Sequence, residues 1–489
     1  MKQFSNAEQF CTEILQLNLP HAKALAALVM ALASFTDATS VVSLSLSPLF
    51  QHQYSSLTDA ITHLAYYDAD RKLRRQQIQQ LCLKYLPQRE SFAFHSDGLS
   101  LFREHSPCLK ERGYVHKANN VVPGNKPVGV GYQYSLVNLG VPESSGSLLF
   151  DSRRVKPAED LLTVSAAQMV RLCSDERLPF HAARVSNVAD SQYGTPKYLA
   201  PTSALPNLVN IVRLRHGMKV YQAQQRAESG GAPLVYGDKF YLLEVSDRKT
   251  YTIKEKPYEV ERRALAELPA AEEREIEATT SRDRPLRIHL RRWSGMKMRS
   301  KDGHNMKKVS ADIVGVTVYD ARTGKRVFQH DQFLWVSGEG REALSLTEIY
   351  EKFRHRFDLE VTNRFCKQQL LLDSYRTPEL GHFENWVLVV TLSLWLLFCA
   401  SGEVGSVCAK WQQYSEPREA KGGRKTLSQT RTGAERLFST FEPKLYAPKS
   451  VKKGVGRRAG ERQEKRANYK VVKKGSVVVL KRKAEELQV

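Results

Sequence analysis

Apolar residues recur at helical spacing through the first 85 positions, broken by polar joints, and Asp68 to Lys84 (DADRKLRRQQIQQLCLK) predicts a basic amphipathic helix ended by Pro87. From about residue 90 the period shortens. Phe92 to His95 predicts a strand that ends at Asp97, and Pro127 to Leu139 (PVGVGYQYSLVNL) and Ser147 to Val155 (SLLFDSRRV) predict two more. A helix is expected over Ala158 to Arg177. Strands follow over Ala183 to Val188 and Asn207 to Arg215 (NLVNIVRLR), and the Pro/Thr-rich piece between them has room for a turn or short helix. Three strands, a helix and two further strands suit a mixed α/β sheet.

Residues 216–335 break that rhythm. Lys239 to Glu244, Leu286 to Trp293, Asp312 to Tyr319 and Gln332 to Val336 predict short strands joined by charged or Gly-containing turns, the pattern of a β-rich insertion. Glu255 to Arg282, dense in Glu, Arg and Ala, predicts a solvated helix or linker. One long helical pattern then runs from Ser345 through Leu371, and a second, apolar one covers Trp386 to Ala400. That stretch has 15 residues, short of the ~17 to 25 a spanning helix needs, and Ala22 to Phe35 is shorter still. Both read as buried helices, so no membrane is expected. The expected organisation is a helical N-terminal region over 1–85, a core in two parts over 86–215 and 336–405, the insertion over 216–335, and a tail over 406–489.

Composition alters this picture in one respect. Apolar residues make up 42% and charged residues 26%, as in ordinary globular proteins, but 74 Lys and Arg against 52 Asp and Glu leave a net charge of +22. Such a surplus favours a polyanionic partner over a small neutral substrate. Residues 415–489 hold 21 Lys and Arg against 8 Asp and Glu, a surplus of 13 in about a sixth of the chain, and predict a solvated, disordered tail able to touch a phosphate backbone. The seven cysteines are scattered and never spaced C-x-x-C, so reduced thiols in a cytoplasm are expected rather than a disulfide framework or zinc site. The opening MKQFSNAEQF has neither the basic start followed by an apolar run nor the small-residue cleavage site of a secretory signal.

Phosphoryl transfer on DNA without a covalent intermediate needs carboxylates that hold two divalent cations ~3.5 to 4 Å apart. Asp97 follows the strand FAFHS and precedes Gly98; Asp190 stands in the same way after ARVSNVA. Side by side, those strands would present both acids at one sheet end. Asp151 and Asp238 compete with them but read better as turn caps. In the long helical pattern Phe353, Arg356, Glu360 and Lys367 fall at offsets 0, 3, 7 and 14, one face at ~100° per residue. Arg213 and Arg215 alternate with apolar residues, so they share a strand face, either half-solvated or on DNA phosphate. Trp293 lies in LRRWSGMKMR among four basic residues, as a core aromatic or as a stacking surface for a flipped base.

The run YEKFRHRFDLEVTNRFCKQQLLL resembles the Tyr-(2)-Arg-(3)-Glu-(6)-Lys motif of cut-and-paste DDE transposases of bacterial insertion sequences, with Arg356, Glu360 and Lys367 in register and Phe353 at the Tyr position. FHSDGLSLFR resembles the segment carrying that family's first Asp, and VSNVADSQYGTPKYL the second. Phe353 lacks the Tyr hydroxyl; Tyr350, one turn earlier, has one but does not match the position. The resemblance spans roughly residues 90 to 400. It implies an α/β, RNase H-like mixed-sheet catalytic core interrupted by the insertion, with Asp97, Asp190 and Glu360 binding two Mg²⁺ ions, for which Mn²⁺ can stand in. Arg356 and Lys367 would grip phosphates near the transposon end, and an insertion Trp would stack a base. Implied partners are terminal inverted repeats, target DNA and a second copy of the chain, a homodimer on DNA. Two rival readings are a transposase-derived DNA-binding protein without catalysis and a general metal-dependent nuclease.

Overall fold

The computed structural model describes residues 5–17, 19–65, 71–117, 127–142, 146–223, 235–243, 247–253, 256–280, 283–300, 303–405, 425–441, 460, 462 and 465–473. Four helices come first: α1 (Asn6–Leu15), α2 (Ala22–Ser34), α3 (Tyr54–His63) and α4 (Lys72–Leu83). Then follow β1 (Ser91–Phe102), β2 (Gly113–His116), β3 (Val128–Gly140), β4 (Ser147–Val155), α5 (Leu161–Ser174), β5 (Arg184–Ala189), α6 (Pro196–Thr202) and β6 (Leu208–Arg213). Next are β7 (Lys219–Gln222), β8 (Lys239–Tyr241), β9 (Asp247–Ile253), β10 (Lys256–Ala264), β11 (Glu272–Thr279), β12 (Pro285–Lys297), β13 (Ala311–Asp320) and β14 (Gln332–Ser337). The last described elements are α7 (Leu346–Arg354), α8 (Phe357–Gln368), α9 (Leu380–Ala400) and α10 (Leu427–Phe438).

The chain folds as two compact units, one of Met1–Gln88, Gly98–Leu161 and Phe357–Val489, the other of Arg89–Asp97 and Leu162–Arg356. In the first unit α9 is the central element. It is long and apolar enough to cross a membrane, yet it is buried along nearly its whole length, packed by α1, α2, α3, α10 and β4. Its polar atoms are satisfied within the core: Trp395 Nε1 donates to Leu149 O at 2.8 Å and Asn385 Nδ2 to Ile61 O at 2.8 Å. So α1 to α4 and α9 share one core rather than forming a separate N-terminal domain.

The disordered-tail expectation fails for two described pieces. Leu427–Phe438 is a helix opened by a capping box between Thr426 and Gln429. From it Arg431 reaches back to cap α2, donating to Phe35 O at 2.7 Å and to Gln369 Oε1 at 3.0 Å. Val472 bridges Gly113 of β2, with its N–H on Arg112 O at 2.8 Å. Gly475 to Leu480 and most of the remaining tail lie outside the described residues.

The second unit is a twisted mixed sheet. The first half of β1 pairs in parallel with β5, and β5 in parallel with β6. β14 then pairs antiparallel with β6, β13 with β14, and β12 with β13. The predicted insertion therefore extends the core sheet at its β6 edge. One face is packed by α7, whose Ile349, Tyr350 and Phe353 join Val188, Ile211, Val316 and Leu334; the other carries Tyr193, Tyr198, Trp335 and Trp293. In the first unit, β3 pairs antiparallel with β2 and β4 and lies next to β1. Strand β1 thus contributes residues to both units, and the protein is α/β with an RNase H-like core.

Two secondary-structure expectations are corrected. Glu255 to Arg282 is not a helix or linker: β10 and β11 occupy most of it. β11 is held across the strands by the Glu272–Arg292 ion pair at 3.2 Å and a Glu273–His289 hydrogen bond at 3.2 Å, and its few apolar side chains, Ile276 and Ala278, alternate at strand period. The single helix from Ser345 is two, α7 and α8, separated at His355 and Arg356.

Candidate active site

Ser96 pairs with Ala189 at the end of the β1/β5 ladder, and the next residue on each strand is an aspartate. Asp97 and Asp190 are therefore lateral neighbours on strands ~4.8 Å apart. The sequence expectation that the strand ends at Asp97 is corrected: β1 runs on five residues to Phe102. What ends beside it is β5. Alternation puts both acids on the face of His95 and Val188, and Val188 belongs to the cluster that α7 covers. Both are half-buried. Asp190 Oδ1 accepts the Gln192 N–H at 2.8 Å, an Asx turn that fixes the carboxylate while leaving its second oxygen out of that bond.

The surroundings hold a buried polar chain. Ser96 Oγ donates to Asn187 Oδ1 at 2.8 Å, and Asn187 Nδ2 to the Tyr198 hydroxyl at 2.8 Å. Tyr193 is fully buried, and burial, then the nearby charges of Asp97 and Asp190, push its phenol well above the usual tyrosine range. It remains a neutral wall beside the acids. Sequence reasoning passed over Ser96, Asn187 and Tyr198; the signal for the first two is polar positions buried within mainly apolar strands.

The other expected residues are spread more widely. Glu360 is exposed in the first turn of α8, in the first unit, where Thr362 Oγ1 anchors the helix to Ser147 O at 2.6 Å. Lys367, half-exposed, donates to Ser100 O at 3.4 Å. Phe353 is 5% and Arg356 8% exposed in the second unit. The helix is broken between Arg356 and Glu360, and Phe353 is buried in the apolar cluster that α7 covers. Arg213 ends β6 half-buried, and Arg215 is exposed just beyond it.

Trp293 is corrected as well: it is 2% exposed, its Nε1 donates to Leu268 O at 2.8 Å, and it packs on Phe333. It offers no face to a base. Its basic neighbours are committed too, Arg291 to Asp331 at 2.7 Å and Lys297 to Lys307 O at 2.8 Å. Neither rival acid caps a turn by itself: Asp151 lies within β4 and accepts from Gln79 Nε2 at 2.9 Å, and Asp238 pairs with Arg263 at 3.2 Å.

Half-buried carboxylates on neighbouring strands suit a hard divalent cation, which takes oxygen ligands. Among the described residues no three His, Cys, Asp or Glu side chains gather as a cation site, so the structure brings together two of the three expected acids. Residues 16–284 match the family described as DDE superfamily endonuclease. That is more than half of the chain, and the protein belongs to this family. The match takes in Asp97 and Asp190 and stops short of Glu360. A search of curated proteins finds no match to the chain. The protein is a DDE endonuclease, a transposase-like nuclease whose substrate is DNA.

Proposed function

We propose that the protein is the transposase of a bacterial insertion sequence, which binds the terminal inverted repeats of its element, cuts DNA at both ends and joins them to a target. The reading rests above all on Asp97 and Asp190 standing side by side on the α7 face of the sheet. In this proposal they and Glu360 hold two Mg²⁺ ions, with Glu360 assigned from its motif and from its place four residues after Arg356. Bound divalent ions supply Lewis-acid stabilisation of the attacking and leaving oxygens. The chain's own groups position that chemistry: the Asx turn at Asp190 and the Ser96–Asn187–Tyr198 chain hold the strand ends, and buried Tyr193 excludes water behind the acids. Lys367, Arg213 and Arg215 are assigned to DNA phosphates. Handling two ends together calls for a homodimer on DNA, acting in the cytoplasm.

The test is cleavage of a duplex carrying the flanking inverted repeat, with Mg²⁺ or Mn²⁺ against EDTA, by wild type and Glu360→Ala. Metal-dependent nicking at the repeat boundary, lost in the variant while binding persists, is the expected result. Specific binding without cleavage by wild type would replace this reading with a non-catalytic DNA-binding protein. Cleavage indifferent to the repeat would leave only a general metal-dependent nuclease.

A further inference from the structure

The first unit carries a basic cavity of about 210 Å³, well above the ~15 Å³ that one water needs and below the ~300 Å³ at which drug-sized sites begin. Arg71, Arg75, Arg153, Arg154 and Lys156 line it, against the carboxylates Glu111 and Glu384. Those five cations exceed the two lining carboxylates by three, and by two when Asp151, 4.0 Å from Arg75, is counted. We propose that this cavity is a phosphate-binding site, built to take the oxyanion of a phosphate group.

Its frame is cross-braced by ion pairs, and its lining carries more cations than carboxylates. Glu384 holds two arginines at once, Arg71 at 2.7 Å and Arg154 at 2.6 Å, and Arg154 also reaches Glu111 at 2.8 Å. Arg71 donates further to Asn385 Oδ1 at 2.9 Å and Gly381 O at 3.1 Å. These contacts keep it at φ 54°, a left-handed conformation that an arginine keeps only where its surroundings impose it. Arg153 and Lys156, by contrast, make no side-chain ion pair or hydrogen bond among the described residues.

Two unmatched donors point independently to a ligand. Tyr134 and Arg154 are direct cross-strand partners on β3 and β4, so they stand together on one face. The Tyr134 hydroxyl and Arg154 Nη1 are both buried without a hydrogen-bond partner among the described residues. Buried donors are nearly always satisfied. Burial holds the Tyr134 phenol well above the usual range, so it stays a donor. A phosphate supplies several acceptor oxygens and the negative charge that the lining lacks; a neutral ligand would supply only the first.

The phosphate could belong to a DNA backbone or to a free phosphate compound, and the experiment separates them. Thermal unfolding of the full chain is followed with orthophosphate, pyrophosphate and a duplex without inverted repeats, against chloride at equal ionic strength. Wild type is compared with Arg153→Gln/Lys156→Gln and with Tyr134→Phe. Orthophosphate or pyrophosphate should raise the midpoint where chloride does not, and the double variant should lose that shift. Tyr134→Phe should weaken binding about tenfold, as expected for one lost hydrogen bond to an anion, without lowering the midpoint in phosphate-free buffer. Displacement of pyrophosphate by duplex, with weaker duplex binding by the double variant, assigns the site to the DNA backbone; unchanged duplex affinity assigns it to a free phosphate compound. Equal behaviour of all three proteins, or no shift beyond chloride, would overturn the site. None of these readouts depends on DNA cleavage, so a failure here is distinct from a failure of the transposase reading.

Discussion

Asp190 serves two purposes at once. Its Oδ1 accepts a backbone N–H as any turn aspartate does, and its position beside Asp97 follows from the strand register. Asp190→Asn keeps the turn acceptor and removes the charge, so the unfolding midpoint should hold within the ordinary range for surface changes, about 0.5 kcal/mol, while metal-dependent cleavage disappears. A variant that still cleaves would exclude Asp190 as a ligand. Trp293 behaves oppositely: truncation to Ala should cost about 3–5 kcal/mol in urea unfolding, and any loss of DNA binding should track that loss of fold. Asp320 offers a pH signature. Backbone N–H groups of the turn, chiefly at Thr323, and the Arg284 guanidinium lower its pKa to about 2. Its contribution to stability is complete above the unfolded carboxylate pKa of ~3.9 and is lost as pH falls through about 2. Between pH 2 and 4 the wild type should therefore gain stability with rising pH more steeply than Asp320→Asn.

At the scale of elements, the break between α7 and α8 matters most. Ser345 and Glu348 close a capping box at the start of α7, and Ser345→Ala should cost about 1 kcal/mol. Phe353 faces the sheet from α7, among Val314, Val316 and Leu334. Restoring the motif's tyrosine with Phe353→Tyr should thus place a hydroxyl in an apolar cluster, destabilising the protein by about 1–3 kcal/mol with no gain in DNA affinity. A gain would return Phe353 to the DNA surface. The Asp190 segment, unlike this one, is legible as a strand followed by an acid, because a buried strand shows a short apolar run bounded by turn residues, whereas β1 runs on past Asp97. The helix break was not: apolar positions keep helical phase across His355 and Arg356, and only the packing of α7 shows where the helix stops. Strand β11 was hidden because its charged residues find partners on β12, information that lies some twenty residues away.

Over the whole molecule, the charge of +22 predicts DNA binding that weakens steeply with salt. Each phosphate contact contributes a slope of about −0.9 in log K against log salt, and titration of a duplex between 50 and 200 mM salt should give a slope of about −5 or steeper. A slope near zero would remove the polyanion argument. Period, charge and motif spacing are local or additive properties. The chain by itself therefore determined the strand and helix order of the core, the basic character of the protein, and the two aspartates that come after short apolar runs. Which residues meet depends on register and burial, and only the tertiary structure decided those. Pairing in the β1/β5 ladder set Asp97 beside Asp190, core packing buried Trp293 and Phe353, the β6 edge absorbed the insertion, and contacts with α2 ordered a helix within a tail whose composition pointed to disorder.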